Sequence, residues 1–187
     1  QRMRRRIALP IARLMKGQKT TASASLARAL KGVRLFAMDV DGVLTDAGMY
    51  YSESGDELKK FNTHDGMGIK LLQRAGLITA LITMEETKLV ARRAEKLAIP
   101  EVHQGARDKL VVLREMVARH GLTLQEAAYI GDDVNDLQAL KAVGFSATPA
   151  DGLPSVRQAV DYVCRKKGGE GAVREIADMI LEAQARR

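Results

Sequence analysis

The sequence predicts an α/β fold: a doubly wound parallel sheet, Rossmann-like, with an inserted β-hairpin and no cap domain. Short apolar runs alternate along the chain with longer segments of helical periodicity, which is the pattern of repeated β-α units. Polar residues follow several of the apolar runs, at the strand ends where open α/β sheets bind their ligands. A hairpin pattern interrupts this alternation once, directly after the first run.

The predicted strands are short and mostly apolar. Residues 33–38 and 77–83 have the composition of central strands that helices cover on both faces. Further strands are predicted at residues 101–104, 127–130, 144–147 and 161–164. The segments between them predict helices at residues 66–75, 85–97, 106–120, 134–143 and 171–185.

Residues 48–61 predict the β-hairpin. An aromatic run at Tyr50 and Tyr51 leads into a turn at Ser54, Gly55 and Asp56, and a second short run follows. Only 44 positions separate Asp39 from Thr83, and the hairpin occupies much of that interval. No separate cap domain fits there.

Charge is distributed unevenly along the 187 residues. Residues 1–31 contain nine of the 30 basic residues and no acidic residue, whereas residues 32–187 contain 21 basic and 23 acidic residues, a formal charge of −2. We therefore predict a basic N-terminal extension over residues 1–31, partly helical or disordered, and one globular domain over residues 32–187. A near-neutral domain argues against a nucleic-acid partner, despite the total charge of +7.

The single cysteine, Cys164, cannot form an intrachain disulfide and suits a reducing compartment, for which we predict the cytoplasm. No apolar run reaches the roughly 20 residues of a membrane-spanning helix, so no membrane association is expected.

The polar residues at the predicted strand ends form a chemically coherent set. Asp39 and Asp41 follow the first strand, Thr83 ends the second, Lys109 lies near the start of a helix, and a Gly-Asp-Asp sequence with Asp132 follows the fourth. Carboxylates from two strand ends make an oxygen-only site that suits Mg²⁺. A hydroxyl and an ammonium group facing that ion would bind phosphate oxygens. The set predicts phosphoryl transfer.

Each residue also has an ordinary structural interpretation. An Asp-x-Asp sequence is common, Gly-Asp-Asp is typical of a turn and a helix cap, Thr83 would serve as a helix N-cap, and Lys109 would be a solvated surface charge. Their order along the chain, each at a strand end or near the start of a helix, favours the functional interpretation.

Over residues 33–186 these motifs resemble those of haloacid dehalogenase superfamily phosphatases. The resemblance implies that Asp39 is the nucleophile, which forms an aspartyl-phosphate, and that Asp41 protonates the leaving alkoxide and then activates water. It implies that Mg²⁺ is held by Asp39, the backbone carbonyl of Asp41, and Asp132.

The same resemblance assigns phosphate binding to Thr83 and Lys109. It implies that Asp133 and Asp136 do not contact the substrate but orient the metal ligand or Lys109.

Three further segments are similar to the capless 3-deoxy-D-manno-octulosonate 8-phosphate phosphatases and the related nonulosonate 9-phosphate phosphatases: the hairpin and residues 61–69 and 168–175. This resemblance implies a homotetramer in which the hairpins pack together and the tail closes a neighbour's site. Asp65 and Arg174 become candidate substrate or interface residues. A helix cap and an ion-paired surface residue are the alternatives.

The chain departs from this pattern after Thr83, where the octulosonate enzymes typically have Gly-Arg and this chain has Met84 and Glu85. A glutamate cannot pair with a substrate carboxylate, as an arginine can, but it can accept hydrogen bonds from sugar hydroxyls. The nonulosonate phosphatases have a glutamate there, so Glu85 favours a nine-carbon substrate, and Met84 would narrow the entrance. The alternative is an acid in the first turn of a helix.

Two other functions compete with the phosphatase. A phosphatase-like tetramerisation module without catalysis would not need the nucleophile or the metal ligand, so the presence of Asp39 and Asp132 argues against it. A phosphomutase would need a cap to retain its intermediate, and the chain has no room for one.

Overall fold

The structure is a computed structural model that describes residues 24–55 and 57–185. A first helix, α1, occupies described residues 24–32. The elements that follow are β1 Leu35–Met38, β2 Tyr50–Tyr51, β3 Glu57–Leu58, α2 Thr63–Arg74, β4 Ile78–Ile82, α3 Lys88–Leu97, β5 Glu101–His103, α4 Lys109–Arg119, β6 Ala127–Ile130, α5 Leu137–Ala142, β7 Phe145–Thr148, α6 Pro154–Arg157, β8 Tyr162–Val163 and α7 Ala172–Ala185.

The main sheet has six strands in the order β5-β4-β1-β6-β7-β8, and every neighbouring pair is parallel. The predicted doubly wound fold is therefore confirmed. Met38, the last residue of β1, is in register with Leu81 on one side and Ile130 on the other. The residue after β1 consequently lies between the ends of β4 and β6, beside the point where the strand order reverses.

Helices cover both faces of the sheet. Phe36 and Met38 of β1 belong to the core that α2 and α7 help to form, whereas Leu35 and Ala37 belong to the core on the α4 and α5 side. Because successive side chains of a strand point to opposite faces, burial on both sides produces the continuous apolar run of β1.

Two helices begin three residues later than predicted. Thr87 caps α3 by accepting the N–H of Val90, and Asp108 caps α4 by accepting the N–H of Val111. In each case a capping side chain sets the first residue of the helix. The hydrophobic pattern alone had predicted a helix that begins earlier. The segment predicted as a helix from residue 134 starts with a 3₁₀ turn, Val134–Asp136, and continues as α5. The short helix α6 was not predicted.

The hairpin is present as the antiparallel pair β2 and β3, in which Tyr50 lies opposite Leu58. Asp56, predicted to lie in the turn, is outside the described residues. Between β1 and β4 the described residues form only loops, this hairpin and α2, which agrees with the absence of a cap domain.

Most of the predicted N-terminal extension, residues 1–23, lies outside the described residues. Within α1, Leu30 is buried in the core. The domain boundary at residue 32 stays a prediction. No helix among the described residues is long and apolar enough to cross a membrane.

Candidate active site

Most of the predicted catalytic and binding residues line one pocket at the carboxyl ends of β1, β4 and β6. Its volume is about 220 Å³, and its lining includes Asp39, Asp41, Thr83, Glu85, Lys109 and Asp132. The backbone of Asp39 is fixed to the end of β6, because its N–H donates to the carbonyl of Ile130 at 3.0 Å. Parallel register therefore brings together side chains that are far apart in the sequence.

A tight loop after β1 brings Asp41 to the same pocket. The carbonyl of Val40 accepts the N–H groups of Leu44 and Thr45, at 2.9 and 3.0 Å. Gly42 adopts a φ of +85°, and a Cβ there would lie 2.0 Å from Oδ2 of Asp132. Only glycine allows this loop to approach the loop that follows β6 so closely.

Lys109 is buried beside two carboxylates. Its ammonium lies 2.9 Å from Oδ1 of Asp39 and 2.7 Å from Oδ1 of Asp136. Its side chain is 1% exposed, so its interpretation as a solvated surface charge is wrong. A lysine in this position fixes Asp39 and still presents positive charge to the pocket.

Asp136 uses both carboxylate oxygens within the protein. Oδ1 accepts hydrogen bonds from Lys109 and from the hydroxyl of Tyr129, and Oδ2 accepts the N–H groups of Asp132 and Asp133. Asp136 has an oxygen within 4.8 Å of oxygens of Asp39 and Asp132. Because these contacts satisfy both oxygens, we assign it to orienting the loop and Lys109. Sequence reasoning did not identify Tyr129.

Asp39 and Asp132 are the carboxylates best placed for a cation. Burial and the negative charge of Asp136 raise the pKa of Asp39 to about 8, although the positive charge of Lys109 acts to lower it. Burial and the negative charges of Asp136 and Asp133 raise the pKa of Asp132 to about 7, and the charge of Lys109 opposes this rise as well. Oδ1 of Asp132 is buried and has no hydrogen-bond partner among the described residues. Lys109 is one positive charge among the three carboxylates of Asp39, Asp132 and Asp136, so it offsets their charge only in part. Clustered hard oxygens with this excess of negative charge fit a divalent cation such as Mg²⁺.

Thr83 and Glu85 lie between β4 and α3. The hydroxyl of Thr83 accepts the N–H of Glu85 at 3.3 Å, and Thr83 is buried. Thr87 is the N-cap of α3, so the interpretation of Thr83 as that cap is wrong. Glu85 precedes the first residue of α3, Lys88, so it does not lie in the first helical turn either.

Lys59, from the hairpin, also reaches the pocket residues and was missed by sequence reasoning. Its ammonium lies 2.7 Å from Oδ1 of Asp41 and 2.7 Å from Oε2 of Glu85. It sits among other charged residues of the hairpin, and nothing in the sequence pattern distinguishes it from Lys60.

The candidate substrate or interface residues Asp65 and Arg174 do not line the pocket. Asp65 is buried, and its carboxylate accepts the N–H groups of Gly171 and Arg174 at the start of α7. The guanidinium of Arg174 pairs with Asp178. Asp133 is exposed and accepts the N–H of Val134 at the start of the 3₁₀ turn. Substrate contacts by Asp65 and Arg174 stay predictions.

The tail packs against the loop after β1. The N–H of Gly169 donates to the carbonyl of Val43 at 3.0 Å, and a Cβ at Gly168 would lie 1.9 Å from the carbonyl oxygen of Gly42. The paired glycines of the tail motif therefore let two backbones approach each other beside the pocket.

Comparison with known proteins places this geometry in a family. Residues 80–176 match the haloacid dehalogenase-like hydrolases. The chain is 43% identical to 3-deoxy-D-manno-octulosonate 8-phosphate phosphatase from Yersinia pestis over 152 residues, which are 81% of each protein. It is 38% identical to the Escherichia coli K12 phosphatase of the same name over 164 residues, 88% of this chain and 87% of that protein.

Solved structures agree. The phosphatase of that name from Moraxella catarrhalis, crystallised with a magnesium ion, a phosphate ion and a KDO molecule, superposes with a TM-score of 0.84 at 41% identity, covering 86% of this chain and 92% of that one. A cobalt-bound Haemophilus influenzae enzyme gives 0.81 at 38% identity, covering 84% and 92%. The chain therefore belongs to the 3-deoxy-D-manno-octulosonate 8-phosphate phosphatase family of haloacid dehalogenase-like hydrolases, and it is a phosphoric monoester hydrolase.

Proposed function

We propose that the protein hydrolyses the phosphate monoester of a 2-keto-3-deoxy sugar acid, with 3-deoxy-D-manno-octulosonate 8-phosphate as its substrate. The observation that carries this proposal is the pocket in which Asp39, Lys109 and Asp132 converge, in a chain 38–43% identical to phosphatases of that name. The test is steady-state turnover of this phosphate by the purified protein.

Asp39 and Asp41 divide the chemistry. A carboxylate oxygen of Asp39 attacks phosphorus, and the bond between phosphorus and the sugar oxygen breaks, giving an aspartyl-phosphate. Asp41 gives its proton to the departing alkoxide and then takes a proton from the water that hydrolyses the aspartyl-phosphate, which releases inorganic phosphate and restores both acids.

The remaining residues bind and orient the phosphate. Lys109 and Thr83 both line the pocket. The ammonium of Lys109 would neutralise the charge of the phosphate oxygens, and the hydroxyl of Thr83 would donate a hydrogen bond to one of them. Asp39, Asp132 and the backbone carbonyl of Asp41 would hold Mg²⁺. When bound, Mg²⁺ supplies positive charge that offsets the charge of the phosphate oxygens.

The raised pKa values predict how Mg²⁺ and pH act together on stability. The pKa of Asp39 is about 8 in the fold and 3.8 ordinarily, so in this interval only the folded state keeps the proton. Metal-free protein therefore loses stability from this group as pH rises from 3.8 to about 8, and the loss is complete above that pH. Mg²⁺ needs ionised carboxylates, so the rise in Tm on adding Mg²⁺ should grow between about pH 6 and about pH 9. Thermal unfolding with Mg²⁺ or a chelator measures this.

The matched control is Asp132→Asn, which should remove most of the Mg²⁺-dependent rise in Tm at every pH. A rise in Tm that is the same across the range would contradict the assignment of the raised pKa values to the cation site.

A nonulosonate 9-phosphate is the second candidate substrate, and Glu85 favours it. Its carboxylate lines the pocket, where it can accept hydrogen bonds from sugar hydroxyls. Comparing kcat/KM for the eight-carbon and nine-carbon phosphates decides between them. A higher value for the octulosonate supports the first proposal and refutes this use of Glu85, while a higher value for the nonulosonate supports the second.

The hairpin carries the proposed homotetramer contact. Its exposed apolar residues, which no other described segment covers, are Met49, Tyr50, Tyr51 and Leu58. Clustered exposed apolar side chains on one short element are typical of an interaction surface. A cytoplasmic location also remains our proposal, based on the single buried cysteine, Cys164.

The prediction is that replacing Tyr51 and Leu58 together by aspartate converts the tetramer to smaller species, because burying two new carboxylates in an apolar contact is unfavourable. Light scattering coupled to size-exclusion chromatography measures the mass. Val111→Asp, at an exposed apolar residue of α4, is the control and should leave the mass unchanged. A double variant that remains tetrameric would exclude the hairpin as the contact.

A further inference from the structure

The side chain of Lys59 is almost fully covered, although the residue as a whole is only half-buried and both of its sequence neighbours are exposed. It follows β3 at the end of the hairpin, and its side chain is 2% exposed. The side chain of Lys60 is 57% exposed, and Leu58 is 60% exposed. The hairpin therefore directs one lysine, and not the next, into the protein.

The partners of Lys59 come from the pocket. Its ammonium donates to Asp41 and to Glu85, each at 2.7 Å, and lies 3.5 Å from an oxygen of Glu57. Burial lowers the pKa of Lys59, but the hydrogen bonds and charges of Asp41 and Glu85 outweigh that effect, so the pKa is raised and the lysine stays charged. One carboxylate would be enough to keep a lysine charged. Here two pocket carboxylates from separate segments share the ammonium.

The contact with Asp41 is specific to one oxygen. Oδ1 accepts hydrogen bonds from Lys59 and, at 3.3 Å, from the hydroxyl of Thr45. Oδ2 accepts none from the described residues, and the side chain is 30% exposed. Two donors on one oxygen restrict rotation of the carboxylate and leave the other oxygen free to meet a ligand.

We propose that Lys59 is a positioning residue: it fixes the carboxylate of Asp41 so that its free oxygen faces the leaving-group oxygen of the substrate, and it holds Glu85 at the rim of the same pocket. This inference rests on the proposed function, in which Asp41 protonates the leaving alkoxide. It makes the hairpin part of the active site of its own chain, besides any contact it makes with other chains.

How the loss of kcat/KM depends on the leaving group of the substrate distinguishes this positioning role from a general structural role. An alkyl phosphate, such as the sugar-acid phosphate, needs a proton on its leaving oxygen, whereas p-nitrophenyl phosphate releases a stable anion and needs little help. Because kcat/KM reports only the steps up to departure of the leaving group, it excludes the later hydrolysis, which also uses Asp41.

The experiment compares Lys59→Met with the wild type on both substrates. We expect kcat/KM for the sugar-acid phosphate to fall by about 100-fold, the scale of a misplaced catalytic group. For p-nitrophenyl phosphate we expect a change within about threefold, because proton donation contributes little there. Inhibition by inorganic phosphate should be unchanged, since Lys109 and Thr83 bind it.

Lys60→Met is the matched control, and it should resemble the wild type on both substrates. If Lys59→Met does not fold, Lys59→Gln is measured in the same way, and we expect the same selectivity with a smaller loss, because its amide can still donate to Asp41.

The outcomes are distinct. Equal losses of kcat/KM on both substrates, or weaker inhibition by phosphate, would overturn the positioning role and indicate a structural or phosphate-binding role for Lys59. A wild type that hydrolyses neither substrate would overturn the proposed function itself, and the role of Lys59 with it.

Discussion

Asp39→Asn should abolish turnover while leaving the fold intact. The amide has nearly the shape of the carboxylate but cannot act as the nucleophile, so we expect kcat to fall by at least about four orders of magnitude. Because burial already opposes the charge of Asp39, the metal-free variant should be at least as stable as the wild type. Steady-state kinetics and thermal unfolding measure the two effects.

Glu95→Gln, the same chemical change at an exposed residue of α3, is the control and should retain full activity. Substantial turnover by Asp39→Asn would contradict the nucleophilic role. A wild type without activity, unaffected by Asp39→Asn, would instead support the alternative of a phosphatase-like tetramerisation module.

Lys109→Met should damage both stability and activity. It leaves the carboxylates of Asp39 and Asp136 buried without their shared cation, a kind of change that typically costs about 3–5 kcal/mol. It also raises the pKa of Asp39 further, so less of the nucleophile is ionised near neutral pH. With the loss of a phosphate ligand, kcat/KM should fall at least about 100-fold. Chemical denaturation of metal-free protein gives the free energy of unfolding.

Lys88→Met is the matched control. It removes an exposed lysine from the first turn of α3, where a positive charge interacts unfavourably with the helix dipole. The free energy of unfolding should therefore be unchanged or slightly increased. If Lys109→Met were as stable as Lys88→Met, the buried pairs around Lys109 would contribute little and the account of the site's electrostatics would be wrong.

The fold could be predicted because its strongest signals are local. The apolar run that became β1 is buried on both faces, and the strand Ala127–Ile130 has the predicted bounds. The pocket followed from the same signals, since strand ends in a parallel sheet converge at one edge. The starts of α3 and α4 were placed too early because a capping side chain, such as that of Thr87 or Asp108, overrides the hydrophobic period.

The contacts that sequence reasoning missed are those between distant segments. The bond from Tyr129 to Asp136 and the bridge from Lys59 to Asp41 and Glu85 depend on how strands and hairpin pack. The buried Asp65 likewise joins α2 to the start of α7. Spacing in the sequence does not distinguish Lys59 from Lys60. Only the path of the chain after β3 directs the side chain of Lys59 inward and leaves that of Lys60 exposed.

The central claim is that Asp39 carries the phosphoryl group during turnover, and trapping that group tests it most directly. Protein mixed with sugar-acid phosphate labelled in the phosphoryl group is quenched in acid within one turnover and digested. We predict a label on the peptide that contains Asp39, and none in Asp39→Asn. Turnover by the wild type without a protein-bound label, or with the label on another residue, would contradict the account.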